Sequence, residues 1–81
     1  MDLRDVFATN LRRLRRARRL SQEELADASG INRTYVSKLE TAGTYVGLEI
    51  IGKLAEVLGV EAYELLIRPA KRIKQRREPN S

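Results

Sequence analysis

Cysteine and histidine are both missing from this 81-residue chain. Without them there is no disulfide framework, no Cys/His zinc site, no thiol nucleophile and no histidine-based triad. That removes most ways of running a reaction on so few residues. No metal, cofactor or catalytic cluster is implied, and the chain reads as a non-enzyme. Tryptophan is absent too and aromatic residues make up 5%, so no stacking platform for single-stranded bases is evident. No apolar run approaches the ~18 residues of a membrane span, and no membrane partner is expected. Strand-period alternation and internal repeats are also lacking. What remains is an all-α chain with one small core, since a domain near this size buries roughly 60% of its extended-chain surface.

Charge is present in quantity but unevenly placed. The net +5 is carried by residues 68–81, with six basic side chains against one acidic, while residues 1–67 balance ten against ten. Within that balanced part, residues 4–38 are rich in cations: Arg4, Arg12, Arg13, Arg15, Arg16, Arg18, Arg19, Arg33 and Lys38. Residues 47–67 reverse the sign, with Lys53 against Glu49, Glu56, Glu61 and Glu64. One half is suited to a polyanion, the other to solvent or a second subunit. The N-terminus is arginine-rich like a transit peptide. Asp2 and Asp5 interrupt it and its apolar spacing continues into the chain, so it reads as mature structure.

The apolar spacing predicts five helices. Leu3, Phe7, Leu11 and Leu14 share a face from about residue 3 to 19. Arg12, Arg13, Arg16 and Arg19 lie opposite, whereas Arg15 sits at the edge of the stripe, where a partly desolvated charge requires a carboxylate. Ser21-Gln22-Glu23-Glu24 has the spacing of a capping box and starts a second helix that carries Leu25 and Ala28 inward and stops at Gly30. Asn32 caps a third helix over about 33–41, with Val36, Leu39 and Glu40 on one face. Residues 42–47 read as a loop. A fourth helix from Leu48 to about Leu58 buries Leu48, Ile51, Leu54 or Ala55, and Leu58, and Gly59 closes it. A short fifth helix is expected over Val60 to Ile67. Its Leu65, Leu66 and Ile67 are too many for one buried face, and some of them are expected to meet another chain. Pro69 ends the ordered part, leaving a basic, mobile tail over 68–81 beside a 1–67 domain.

Two short helices joined by a tight glycine turn form a helix-turn-helix when the interior positions are small and apolar. Counting Gln22 as position one, Ala26 is fifth, Gly30 ninth, Ile31 tenth, Val36 fifteenth and Leu39 eighteenth. Ala26 lets the helices cross closely, Gly30 makes the turn, and Val36 and Leu39 pin the second helix to the first.

In Leu20-Ser-Gln-Glu-Glu-Leu-Ala26 and Gly30-Ile-Asn-Arg-Thr-Tyr-Val-Ser-Lys-Leu-Glu40 the chain resembles the phage repressor and Cro-like helix-turn-helix family, over residues 4–67. Arg33-Thr34-Tyr35-Val36-Ser37 resembles most closely the controller proteins of restriction-modification systems. The resemblance implies a compact five-helix repressor-like domain that regulates transcription by binding double-stranded DNA as a homodimer on a palindromic operator. It also implies a cytoplasmic, nucleoid-associated protein. Arg15 and Glu40 match a family ion pair that can lend its arginine to a phosphate, and Gln22 matches a usual phosphate contact.

On the third helix, Thr34, Ser37, Lys38 and Thr41 point away from Val36 and Leu39, and Arg33 projects from the free end. Nine helical residues span about 13 Å, close to the ~12 Å width of the major groove. Arg33, Thr34, Ser37 and Lys38 are the candidates for base edges. Gln22, Tyr35, Arg15, Arg12 and Thr41 are the candidates for phosphates. Leu65, Leu66 and Ile67 are the expected dimer seam.

The following loop departs from the family pattern. Thr41, Ala42, Thr44, Tyr45, Val46 and Gly47 stand where relatives often have arginine, glycine, a second arginine, asparagine, proline and a Ser or Thr cap. Two usual phosphate contacts are therefore missing, and Arg12, Arg16 or the basic tail are expected to compensate. A different class of function also fits the composition: an antitoxin that neutralises a protein partner and binds its own operator, its tail folding on that partner.

Overall fold

A computed structural model describes residues 2–68, so the expected basic tail lies outside the described residues from position 69 onward. Four α-helices occur in the order α1 (Leu3–Ala17), α2 (Gln22–Ser29), α3 (Arg33–Glu40) and α4 (Leu48–Leu58), followed by a 3-10 turn over Ala62–Leu65. No strand is present among the described residues.

The helix boundaries follow from local caps. Asp2 begins α1 by accepting the Arg4 amide at 2.7 Å, and that bond, with the Arg4 side chain, holds its carboxyl below the usual range. At the other end α1 stops two residues earlier than its apolar spacing predicts. Arg19 turns into the left-handed region at φ 59 and the Leu20 amide closes on the Arg15 carbonyl at 3.1 Å. The reciprocal capping box is present, Glu24 amide to Ser21 Oγ at 2.9 Å and Ser21 amide to Glu24 Oε1 at 2.8 Å. Gly30 ends α2 at φ 73, where a side chain would be strained.

The core joins Phe7 and Leu11 to Leu25, Ala26, Val36, Leu39, Ile51, Leu54, Ala55, Leu58 and Leu65. α2 and α3 cross through Ala26, and both are backed by α1 or α4. Three expected inward positions differ. Ala28 faces solvent and Ser29 is buried in its place, with its hydroxyl donated to the Leu25 carbonyl at 2.6 Å. Leu3 and Leu48, in the first turns of α1 and α4, overhang the end of the core and are exposed.

The expected fifth helix is a single 3-10 turn. Glu61 and Glu64 cap each other there, and the carbonyls that a longer helix would engage are taken from another element. Asn10, fully buried on α1, donates Nδ2 to the Leu65 carbonyl at 3.0 Å and the Ile67 carbonyl at 2.7 Å. Leu65 is thereby drawn into the core at 0% exposure. It is not free to form a dimer seam, and of the expected trio Leu66 and Ile67 alone are exposed.

Beyond α3 the chain turns at Ala42, which has φ 59, while the Gly43 amide closes on the Lys38 carbonyl at 2.8 Å. This is the helix-ending position that favours glycine, and a Cβ in the left-handed region costs about 1–2 kcal/mol. Part of the relief is offset by glycine's greater freedom in the unfolded chain. Ala42→Gly is therefore expected to raise unfolding free energy by about 0.5–1 kcal/mol, measured as a higher urea midpoint. A lower midpoint would show that the loop carries no such strain.

Candidate nucleic-acid interface

The second helix of the motif, α3, is set on its scaffold by one end and one face. Asn32 Oδ1 accepts the Thr34 amide at 2.7 Å and fixes the start. Val36, Leu39 and Glu40 are buried against α1 and α2. Arg33, Thr34 and Lys38 are left exposed and Ser37 half-buried on the outer side. Among the described residues, Arg33, Thr34 and Lys38 thus lie along an open side of α3, with Ser37 partly covered at its edge. Two cations and two hydroxyls on a helix that a major groove can admit supply donors for guanine and contacts for thymine methyls.

Glu40 is the hub that holds this helix in place. Its carboxylate receives Arg15 Nε at 2.6 Å, Arg15 Nη2 at 3.0 Å and Gln22 Nε2 at 3.0 Å, and its backbone carbonyl receives Arg12 Nη1. Arg15 also donates Nη1 to the Leu20 carbonyl at 2.8 Å. The Glu40 side chain is 2% exposed and that of Arg15 11%. The carboxylate that Arg15 requires is therefore Glu40, and their hydrogen bond holds the guanidinium above its usual pKa although burial opposes this. One residue at the end of α3 fastens it to α1 and to the first turn of α2.

These bonds bear on the phosphate candidates. Arg12 and Arg15 both have protein acceptors, and a phosphate can receive only the N–H groups left over. Gln22 is half-buried with one N–H on Glu40, so its second N–H is the one available to a phosphate. The single hydroxyl proton of Tyr35 goes to the Tyr45 carbonyl at 3.1 Å. That of Thr41 goes to the Lys38 carbonyl at 3.1 Å. Phosphate oxygens only accept, so neither hydroxyl reaches one unless its present bond opens. Tyr35 instead braces the loop after α3, and Arg4 adds a second brace with its guanidinium 4.5 Å above the Tyr45 ring.

Two supports escaped the sequence reading. Asn10 stands three residues after Phe7 on the apolar face, and a carboxamide inside such a stripe is the signal that a buried polar bond is needed. Arg18 has no such signal. It donates Nη1 to the Leu58 carbonyl at 3.0 Å and lies where a Cβ on Gly59 would come within 2.7 Å.

A helix-turn-helix family profile matches residues 11–65. The chain belongs to the helix-turn-helix family. It is 48% identical over 73 residues to a hypothetical transcription factor of Neisseria meningitidis serogroup B, covering 90% of this chain and 69% of that protein. A crystal structure of a hypothetical transcription factor from Neisseria aligns with a TM-score of 0.85, covering 90% of this chain and 84% of that one. The restriction-modification controller protein C.AhdI of Aeromonas hydrophila aligns at 45% identity and a TM-score of 0.75, covering 76% of this chain and 94% of that one. The family and these relatives make the chain a DNA-binding transcription regulator of the helix-turn-helix class, in agreement with the resemblance to repressors and controllers. Among the described residues no helix is long and apolar enough to cross a membrane.

Proposed function

We propose that this regulator reads a specific duplex sequence as a homodimer on a palindromic operator, working on the nucleoid in the cytoplasm. Arg33, Thr34, Ser37 and Lys38 meet base edges, and the second Gln22 N–H, with the free amides opening α2, meets a phosphate. The observation that carries this reading is the outer side of α3, which the described residues leave open and Glu40 clamps from behind. A helix fixed in this way needs no further backbone ordering on binding, so that only the side chains it presents are immobilised. One such helix spans a few base pairs, so a site of useful length requires two copies. A two-fold axis places their half-sites about 34–36 Å apart along one face of the duplex.

Selecting binding sites from a random duplex pool tests this reading. An inverted repeat is the expected outcome, and a single unrepeated half-site would overturn the homodimer. Within the selected site, Arg33→Ala is expected to cost about 1–3 kcal/mol and to relax base preference at one position of each half-site. Equal loss on selected and random duplexes would show that Arg33 contacts only the backbone.

A further inference from the structure

Six arginines fall between positions 12 and 19, and the fold divides them. Arg12 donates to the Glu40 carbonyl, Arg13 to Asn10 Oδ1 at 3.2 Å, Arg15 to Glu40 and to the Leu20 carbonyl, and Arg18 to the Leu58 carbonyl. Arg16 and Arg19 are exposed. Their side chains have no hydrogen bond, ion pair or ring contact among the described residues.

The fold alone does not account for these two. Arg16 has Arg12 and Arg13 one turn before it, and like charges at that spacing repel. Its place in the last turn of α1 offsets part of this through the helix dipole. Arg19 has no such compensation. It lies two residues past the end of α1 at φ 59, in the left-handed region that favours glycine. The turn uses its backbone, with the Arg19 amide on the Arg16 carbonyl at 2.9 Å, and leaves its side chain without a role. A residue held in a disfavoured conformation with an unused charged side chain points to a function outside the fold.

Both arginines adjoin the surface assigned to the duplex. Arg15 and Gln22 share the Glu40 carboxylate, so the last turn of α1 and the first turn of α2 meet at one point. Arg19 precedes Gln22 by three residues, a chain reach of at most about 11 Å. Cations are scarce there otherwise. Residues 20–47, which hold α2, α3 and the loop after them, carry Arg33 and Lys38 against Glu23, Glu24, Asp27 and Glu40. The motif is therefore net negative, whereas affinity for a duplex grows with the number of phosphates that cations neutralise. An acidic protein surface would also attract two arginines, but their continuity with Gln22 favours the duplex.

We propose that Arg16 and Arg19 are phosphate contacts: they take backbone phosphates beside the one at Gln22 and supply the attraction that residues 20–47 lack. This rests on the duplex-binding reading above. Of the cations expected to compensate for the loop, it assigns the part to Arg16, and it adds Arg19.

Titration of the selected duplex with the full chain between about 50 and 200 mM salt tests it. The slope of log affinity against log salt is expected to become shallower by about 0.9 in Arg16→Ala and in Arg19→Gly, and by about 1.8 in the double variant. The loss is expected to be equal on selected and random duplexes, because phosphates carry no sequence. Arg19→Gly is expected at the same time to raise the urea midpoint, since it relieves the left-handed Cβ. Lys53→Ala, which removes an exposed charge from α4, is expected to keep the wild-type slope. Variants at 16 and 19 with the wild-type slope, or a slope that falls as far in Lys53→Ala, would overturn the two contacts and leave the duplex reading standing. An Arg19→Gly variant that loses stability together with affinity would make Arg19 a residue of the fold and overturn its contact. A wild type that selects no duplex would overturn both readings.

Discussion

Replacing Glu40 by alanine is expected to lower the unfolding free energy by about 3–5 kcal/mol, the usual cost of breaking a buried ion pair by removing one partner. The loss is large because the carboxylate serves several groups at once. Arg15 is left charged with two of its donors unanswered, and Gln22 loses the acceptor of its inward N–H. Arg15 stays protonated without its partner, since an arginine guanidinium is not deprotonated in proteins. A chain of this length has about 4–12 kcal/mol of stability in all at the common value per residue, so this variant sits near the edge of folding. Urea unfolding followed by circular dichroism measures the effect. Glu40→Gln, which keeps one carbonyl acceptor but loses the charge and turns the other oxygen into an NH2 donor, is expected to lose less than the alanine variant and so to reveal the trend even where that variant does not fold. The double variant Arg15→Ala/Glu40→Ala is expected to be less damaged than the sum of the two single changes, because each removes what the other leaves unpaired. A loss under about 1 kcal/mol for Glu40→Ala would place the pair among exposed salt bridges and deprive α3 of its clamp.

What was legible in the sequence was whatever depends on neighbours in the chain. Ser21 and Glu24 cap each other within one turn, Gly30 must supply a left-handed residue, and Asn32 starts the next helix, so the motif's elements could be placed from spacing alone. The demand of Arg15 for a carboxylate was legible for a related reason: a charge at the edge of an apolar stripe is a local contradiction. Other features depend on groups distant in sequence. The end of the fold is a short turn rather than a helix because Asn10 reaches across to the Leu65 and Ile67 carbonyls, and nothing within residues 60–67 announces that. The hydroxyl of Tyr35 turns to the Tyr45 carbonyl because of how the loop folds back, which no helical periodicity encodes. The spacing of Leu48 matches Ile51 and Leu54 and predicts an inward side chain, but its position in the first turn carries it past the core.

Leu65 separates these two kinds of inference experimentally. Leu65→Ala is expected to cost about 2–5 kcal/mol, the transfer of a buried leucine side chain plus the cavity left behind. The residue has no exposed surface and packs in the cluster formed by α1 and α4, while Asn10 holds its carbonyl and that of Ile67 so that the turn cannot simply collapse into the gap. The loss therefore belongs to the monomer. Removing a core contact shifts the unfolding temperature by the same amount at every protein concentration. Removing a subunit contact makes the shift depend on concentration, because association stabilises by mass action. Thermal scans of Leu65→Ala over a hundredfold range of concentration, run beside the wild type, distinguish the two. A uniform fall is the expected result. A fall that vanishes in dilute solution, where dimers dissociate, would return Leu65 to the subunit seam.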